Sequence, residues 1–228
     1  HCPVLVVLGD VPTFGYRPRD IRNGLAMPPK MTLQNILQIM GKPEWALKTL
    51  IHGQPAFETL KPYMPKGLNM KQLGLFMNKT FSGRLNEEKI APIRDMWKGK
   101  IVLKGVASEE DTDMAIRLGL DGIIVSNHGG RQLDAGQSAI KSLHPIVQNY
   151  KHKIKIMMDS GIRSGPDVAR TLASGADFTF MGRTFMYSVA ALGNDGGNHA
   201  ISLLKTQLQQ VMEQVCCKKV EDFPNHLI

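Results

Sequence analysis

Cysteine is scarce in this sequence, and its placement excludes two kinds of site. Cys2, Cys216 and Cys217 form neither a disulfide framework nor a C-x-x-C metal-binding spacing. A reducing compartment fits this usage best. The sequence also lacks a long apolar run: residues 4–8 form the longest one, far short of the ~18 residues that a membrane span needs.

Aromatic residues make up only 6% of the chain and do not alternate with basic ones, so we do not expect nucleic-acid binding. Acidic residues are outnumbered, which gives a net charge of +8. Because this charge is scattered, it favours small anionic partners such as carboxylates and phosphates, or an anionic membrane face. The chain opens at His1 directly into an apolar run, and we expect it to be part of a longer protein.

Short apolar runs alternate with helical segments through most of the chain. Five strands are predicted, near residues 3–8, 101–104, 122–125, 154–158 and 178–181. The runs are continuous rather than alternating, which indicates strands buried on both faces of a parallel sheet. The class is therefore α/β. A long excursion with helical stretches, residues 24–98, interrupts the pattern after the first strand.

Helix signals lie between the strands. Ser108 is predicted to cap a helix over residues 108–119, whose first turn is acidic. Further helices are predicted at 135–150, at 164–175 with Pro166 as the first helical residue, and at 199–216.

Polar residues follow each predicted strand. They are Asp10, Lys104, Ser126-Asn127-His128, Asp159 and Gly182-Arg183. Because the carboxyl ends of parallel strands share one edge of the sheet, we expect these side chains to form one site.

The stretch S-N-H-G-G-R-Q-L-D places a base, His128, three residues before a cation, Arg131. The two glycines between them allow a tight turn, so both side chains could face one ligand. A structural alternative stands beside this hypothesis, since loop histidines are often only hydrogen-bonded. Lys104 has its own alternative, in which its ammonium simply reaches solvent.

Two segments suit a phosphate group. D-S-G-I-R-S-G-P-D (159–167) joins a strand to a helix through glycines, and Gly182-Arg183 follows the next strand. Backbone N–H groups at helix starts attract phosphate, and the last two loops of a (β/α)₈ barrel commonly bind one together. Arg17, just beyond the first strand, is either part of a solvated basic stretch or a residue of the same edge.

Together these stretches resemble the FMN-dependent α-hydroxy acid dehydrogenase/oxidase family. S-N-H-G-G-R-Q-L-D, D-S-G-I-R-S-G and M-G-R carry the likeness most specifically, with V-L-K-G-V and D-V-P-T-F-G-Y-R-P-R-D as further matches. G-K-P-E-W-A-L is most similar to the quinone-linked bacterial L-lactate dehydrogenases of that family. The resemblance implies a partial (β/α)₈ barrel that contains the last five strands, so that residues 1–228 form one FMN-binding domain corresponding to the C-terminal three-fifths.

The resemblance also implies roles. His128 would be the catalytic base and Asp10 its orienting carboxylate, while Arg131 and Arg17 would bind the substrate carboxylate. The residues implied at FMN are Lys104, Ser126, Asp159, Gly161, Arg163, Gly182 and Arg183. The sequence departs from the family at Leu8, where relatives have a threonine that touches the flavin.

The implied reaction is oxidation of an L-2-hydroxy acid, L-lactate above all, with a quinone, a cytochrome or O₂ as electron acceptor. The family also implies a homo-oligomer in the cytoplasm, with peripheral contact to the inner membrane. Two alternatives remain open. One is another FMN- or phosphate-binding barrel enzyme, such as one similar to IMP dehydrogenase or to type 2 isopentenyl diphosphate isomerase. The other is a truncated barrel fragment without catalysis.

Overall fold

A computed structural model describes residues 2–13, 16–24, 31–53, 58–65, 67, 72, 74–76 and 84–226. The chain separates into two compact units. The first comprises His1–Pro12 and Arg84–Ile228, and the second comprises Thr13–Gly83. The last part of the predicted excursion, residues 84–98, thus belongs to the first unit, and its Ile90 is buried in that unit's core.

The first unit contains a parallel sheet, as predicted. Its five strands pair in chain order: β1 (Val4–Leu8), β2 (Lys100–Val106), β3 (Gly122–Val125), β4 (Lys155–Met158) and β5 (Phe178–Thr179). All four neighbouring pairs are parallel. β5 is shorter than the predicted strand 178–181, because only Phe178 and Thr179 pair with β4.

Helices follow most of the strands. In chain order the described α-helices are α1 (Pro18–Arg22), α2 (Leu33–Met40), α3 (Pro43–His52), α4 (Glu87–Met96), α5 (Glu109–Arg117), α6 (Ala139–Tyr150), α7 (Gly165–Ala173), α8 (Arg183–Leu192) and α9 (Gly196–Gln214). Short 3₁₀ segments lie at Glu58–Tyr63, His128–Gly130, Gly193–Asp195 and Val220–His226. Helices α1 to α3 belong to the second unit, and the later ones to the first.

Local capping explains where the connecting helices begin. The Ser108 hydroxyl accepts a hydrogen bond from Asp111 N, which confirms the predicted cap of α5. Ser164 and Asp167 form a reciprocal capping box on α7. Gly165 therefore takes the first helical position, which had been predicted for Pro166.

Two predicted helix boundaries were wrong by a few residues. α6 begins at Ala139 rather than at 135, because residues 135–138 form a turn before Ser138 adopts the extended cap conformation. α9 covers Gly196–Gln214 instead of 199–216. Its start extends the 3₁₀ segment Gly193–Asp195, and glycine-rich sequence at that point concealed the helix.

The core lies between the sheet and its helices. Ile101, Ile123 and Ile156, one from each central strand, are fully buried there. β1 departs from the prediction of burial on both faces: Val4, Val6 and Leu8 are 40–48% exposed, whereas Val7 is buried. Alternation places the three exposed side chains on one face of the sheet, which the described residues leave half open.

Two aspartates accept hydrogen bonds from backbone N–H groups at the starts of β2 and β4. Asp121, before β3, accepts a hydrogen bond from Ile101 N, and Asp177, before β5, accepts one from Ile156 N. Burial alone raises the pKa of Asp177, but hydrogen bonds from Lys151 and Ile156 N and the lysine charge outweigh it. The pKa therefore lies below its ordinary value of 3.8.

Replacing Asp177 with asparagine should destabilise the first unit in a pH-dependent way. A carboxyl with a lowered folded pKa stabilises the fold above its unfolded pKa, and this contribution disappears as pH falls through the folded pKa. Allowing for solvent screening, we expect wild type to exceed Asp177→Asn by about 1 kcal/mol in free energy of unfolding above about pH 5. Urea denaturation between pH 3 and 7 measures this difference; a difference independent of pH would contradict the ion-pair explanation.

Candidate functional site

The carboxyl edge of the sheet gathers the polar side chains that the sequence singles out. Lys104 lies on β2 next to Gly105, where the register with β3 shifts. Asp10, Ser126 and Asp159 follow β1, β3 and β4, respectively. Arg183 opens α8 after β5. Parallel pairing in chain order is what brings residues so distant in sequence to one edge.

Lys104 is the centre of a set of polar contacts that we call the acid–lysine cluster: Asp10, Lys104, Ser126 and Asp159. The Lys104 ammonium lies 3.2 Å from an Asp10 oxygen, 3.0 Å from an Asp159 oxygen and 2.9 Å from the Ser126 hydroxyl. The side chains of Asp10 and Lys104 are only 9% and 19% exposed. Two carboxylates and a hydroxyl thus satisfy an ammonium that is mostly removed from water.

His128 joins this cluster through Asp10. Its Nδ1 lies 3.1 Å from Asp10 Oδ1, the carboxylate oxygen that does not face Lys104. An ionised carboxylate only accepts hydrogen bonds, so in the neutral imidazole this contact places the proton on Nδ1 and leaves Nε2 with its lone pair. The arrangement orients the ring and leaves Nε2 able to take a proton from a ligand.

Gly105 allows Asp10 to approach β2 closely. Its φ is +97°, and a Cβ placed there would lie 2.5 Å from the Asp10 Cβ and 2.7 Å from its backbone nitrogen. Any other residue would therefore collide with the carboxylate that holds both Lys104 and His128. The glycine of the V-L-K-G-V stretch serves this close approach.

The His128 loop is a tight turn, His128–Gly130, in which all three residues have a positive φ. Side chains stabilise it. Asn127 accepts a hydrogen bond from Gly130 N at 3.2 Å. Arg183 donates one to the Gly129 carbonyl at 2.9 Å, and a Cβ on Gly129 would lie 2.5 Å from the same guanidinium. The loop after β3 is thus tied to the start of α8.

The start of α8 has the properties of an anion site. Gly182 is its N-cap, no side chain caps the first turn, and the first turn has no acidic residue. Unpaired N–H groups and the helix dipole there favour a negative group, and the guanidinium groups of Arg163 and Arg183 add positive charge. A phosphate group fits these residues. Arg163 also stacks over the Tyr187 ring, 5.9 Å from its centroid.

One cavity of about 220 Å³ is bordered by Lys104, the His128 loop and the start of α8. Its lining includes the predicted residues Lys104, His128, Arg131, Asp159, Gly161, Arg163, Gly182 and Arg183. A neighbouring cavity is larger, about 420 Å³, but neither His128 nor Lys104 lines it. We regard the smaller cavity as the candidate site, because it alone of the two contains the base, the ammonium and both phosphate-side arginines.

Three predicted residues do not line that cavity. Asp10 contacts the cavity residues Lys104 and His128 without lining the cavity itself. Ser126 is 2% exposed, and its hydroxyl is engaged by Lys104 and Asp10, so any contact with a cofactor stays a prediction. Arg17 lies in the second unit, where it pairs with Asp20 at 3.7 Å. Its role as a carboxylate-binding residue also stays a prediction.

Sequence reasoning missed two residues of the site. Gly105 and Ser160 lie within the V-L-K-G-V and D-S-G-I-R-S-G stretches, where the sequence assigns them no role, although Ser160 lines both cavities. The sequence offers no signal for Ser160, because its positive φ, a conformation that glycine adopts more easily, is visible only in the structure.

A family model described as FMN-dependent dehydrogenase matches residues 1–228. Curated L-lactate dehydrogenases are similar over nearly the whole chain. That of Haemophilus influenzae (strain PittEE) is 36% identical over 97% of this chain and 58% of its own length. That of Alcaligenes faecalis is 34% identical over 100% of this chain and 60% of its own. The chain thus spans about three-fifths of the curated relatives it matches.

Solved structures agree with the fold. A (S)-mandelate dehydrogenase, described as a monotopic membrane protein, superposes with a TM-score of 0.89 and 32% identity. The match covers 99% of this chain and 60% of that one. A mandelate oxidase bound to benzoyl-formic acid superposes with a TM-score of 0.71 and 29% identity, over 97% of this chain and 53% of that one.

Substituting alanine for Gly105 tests whether the close approach of Asp10 supports the fold. Gly119→Ala is the matched control, since Gly119 also has a positive φ (+65°) but open space around it. We expect the control to cost about 1–2 kcal/mol of unfolding free energy from backbone strain alone. Gly105→Ala should cost at least about 2 kcal/mol more, because the methyl group collides with Asp10. Equal losses in urea denaturation would contradict the assigned contact.

Proposed function

The chain belongs to the FMN-dependent dehydrogenase family, and we propose that it forms the substrate side of an enzyme that oxidises a small L-2-hydroxy acid to the 2-oxo acid. The observation that carries the proposal is the hydrogen bond from His128 to Asp10 beside Lys104. It supplies an oriented base and a fixed cation in one cavity. The two alternatives, another phosphate-binding barrel enzyme and an inert fragment, account for the phosphate side but not for this base.

Oxidation of a 2-hydroxy acid removes one hydrogen from the hydroxyl group and one from the α-carbon. We propose that Arg131 binds the carboxylate through its planar guanidinium, as such groups do in paired hydrogen bonds. His128 Nε2 then takes a proton, and Asp10 stabilises the imidazolium that results. When bound, FMN would supply the acceptor for the two electrons and the second proton.

The chain's own residues would hold and tune that cofactor. In our proposal Arg163, Arg183 and the N–H groups that open α8 bind the phosphate group. Lys104 would place a positive charge where the isoalloxazine binds, which would favour negative charge on the ring. Asp159, Gly161 and Gly182 complete the cofactor's surroundings. Leu8 cannot donate a hydrogen bond there, so this chain would lack the contact that a threonine makes in relatives.

L-lactate is the substrate that the curated relatives favour, since they are named L-lactate dehydrogenases. Mandelate is the second candidate, because the superposed structure with a TM-score of 0.89 is a (S)-mandelate dehydrogenase. The electron acceptor (quinone, cytochrome or O₂), a homo-oligomeric state, cytoplasmic location and the assignment of residues 1–228 to a single domain all stay predictions.

We further propose peripheral membrane association through α2 and α3. Leu33, Ile36, Leu37 and Met40 recur at helical spacing on α2 and are 43–74% exposed. On α3, Leu47, Leu50 and Ile51 are similarly exposed. Within the described residues, no helix is long and apolar enough to cross a membrane. An apolar helical face of this length instead suits the lipid interface, and a net charge of +8 suits anionic headgroups.

The catalytic roles are tested by rapid-mixing measurements of FMN reduction, using the FMN-loaded protein with L-lactate and with (S)-mandelate. His128→Gln should retain FMN but slow reduction by about 10²–10⁴-fold, as expected for loss of a positioned base. Arg131→Lys should raise KM and lower kcat, since an ammonium cannot reproduce the paired contacts. Wild-type reduction rates in His128→Gln would leave this histidine structural, and reduction by neither acid would remove the proposed substrate class.

Membrane association is tested by sedimentation with vesicles that contain about 30% phosphatidylglycerol. Leu37→Glu, on the apolar face of α2, should reduce the bound fraction by roughly tenfold or more, because it removes apolar burial and adds a repelled charge. Gln38→Glu adds the same charge on the other side of the helix and should change binding by less than about twofold. Equal losses in both variants, or no binding by wild type, would contradict the proposed face.

A further inference from the structure

Two residues of the first unit with an uncommon backbone conformation face each other at the site. His128 has a φ of +54° and Ser160 has a φ of +76°, although neither is glycine. Side chains other than glycine rarely adopt this left-handed region, and where they do the surrounding contacts must hold them. Cys216, the third such residue among those described, lies after α9 and away from these loops.

The Ser160 hydroxyl contacts the His128 loop from both sides of the histidine. It accepts hydrogen bonds from Gly129 N at 3.0 Å and from Asn127 N at 3.3 Å. It donates its own proton to Asp159 Oδ1 at 2.8 Å. Asp159 uses its other oxygen to pair with Lys104 at 3.0 Å. One hydroxyl therefore connects the loop that carries the base to the acid–lysine cluster.

The backbone N–H groups on either side of His128 use the Ser160 hydroxyl as their acceptor. The His128 N–H is already bonded to Ser126 Oγ at 3.1 Å, so the N–H groups on either side of it need another acceptor. Buried backbone N–H groups without a partner are costly. Ser160 supplies that acceptor from the loop after β4, a different strand, whereas Ser126 directly follows β3, the strand that leads into the His128 loop. Among the side chains that the structure describes, only the Ser160 hydroxyl bonds this loop to the β4 side of the cavity.

We propose that Ser160 is a positioning residue: its hydroxyl, bonded to Asn127 N and Gly129 N, holds the left-handed turn His128–Gly130 that aims His128 Nε2 into the cavity. The inference rests on the proposed function for the identity of the base, but not for the position of the loop. It also explains why serine occupies a φ that glycine adopts more easily. The conformational strain of the serine backbone is offset by the two N–H groups that its side chain binds.

Two substitutions separate the hydroxyl from the backbone strain. Ser160→Gly removes the hydroxyl and relieves the positive φ, and Ser160→Ala removes the hydroxyl but keeps the Cβ. We expect both variants to retain FMN and to slow its reduction by a 2-hydroxy acid by about 10- to 100-fold, mainly in kcat. The control is Ser188→Ala, which removes a serine hydroxyl bonded to the Gly196 carbonyl at 2.7 Å between α8 and the start of α9. It should leave the reduction rate within about twofold.

The dependence on His128 is tested by repeating Ser160→Gly in the His128→Gln background. If Ser160 acts through the base, the second substitution should change the residual rate by less than about twofold. A full 10- to 100-fold further loss would overturn the proposal and assign Ser160 a general structural role. A second outcome would also overturn the proposal. If Ser160→Gly lost FMN while the FMN that remained bound was reduced at the wild-type rate, Ser160 would serve cofactor binding instead.

A measurement without turnover keeps this test separate from that of the proposed function. Nitrogen-15 NMR of histidine-labelled protein reports the Nδ1–H proton that His128 donates to Asp10. We expect this resonance in wild type and in Ser188→Ala, and its broadening or loss in Ser160→Gly and Ser160→Ala. An unchanged resonance in both Ser160 variants would contradict the positioning role, whether or not any hydroxy acid reduces the flavin.

Discussion

The ion pair between Lys104 and Asp10 is the interaction on which the rest of the site depends. A lysine that is 19% exposed needs acceptors, and two carboxylates and a serine provide them. Because one Asp10 oxygen is used by Lys104, the other is free to orient His128. The same carboxylate thus fixes the cation and the tautomer of the base, and neither could be moved without disturbing the other.

Sheet geometry makes this interaction possible. Parallel pairing of Leu8 with Lys104 places the end of β1 beside the lysine, and Gly105 removes the side chain that would keep Asp10 away. At the opposite edge, Asp121 and Asp177 accept hydrogen bonds from backbone N–H groups at the starts of β2 and β4. The two edges therefore use aspartate differently: one edge stabilises the sheet, and the other orients functional groups.

Much of this arrangement could be predicted from the sequence, because its causes are local. Continuous apolar runs predicted the five strands, Ser108 predicted a helix start, and parallel order predicted that Lys104 and His128 would share an edge. The backbone conformation of Ser160 could not be predicted in this way, because the letters D-S-G do not indicate a serine at a φ of +76°. The half-open face of β1 was also missed, because an apolar run does not reveal which of its faces another element covers.

The central claim is that the cavity bounded by Lys104, His128 and the start of α8 holds FMN and a 2-hydroxy acid together. A crystal structure of the FMN-loaded protein with a 2-oxo acid product tests it most directly. We predict the phosphate group against Arg163 and Arg183, the flavin ring beside Lys104, and the product carboxylate against Arg131 within reach of His128 Nε2. Density for the phosphate group elsewhere, or a product bound away from His128, would contradict the account.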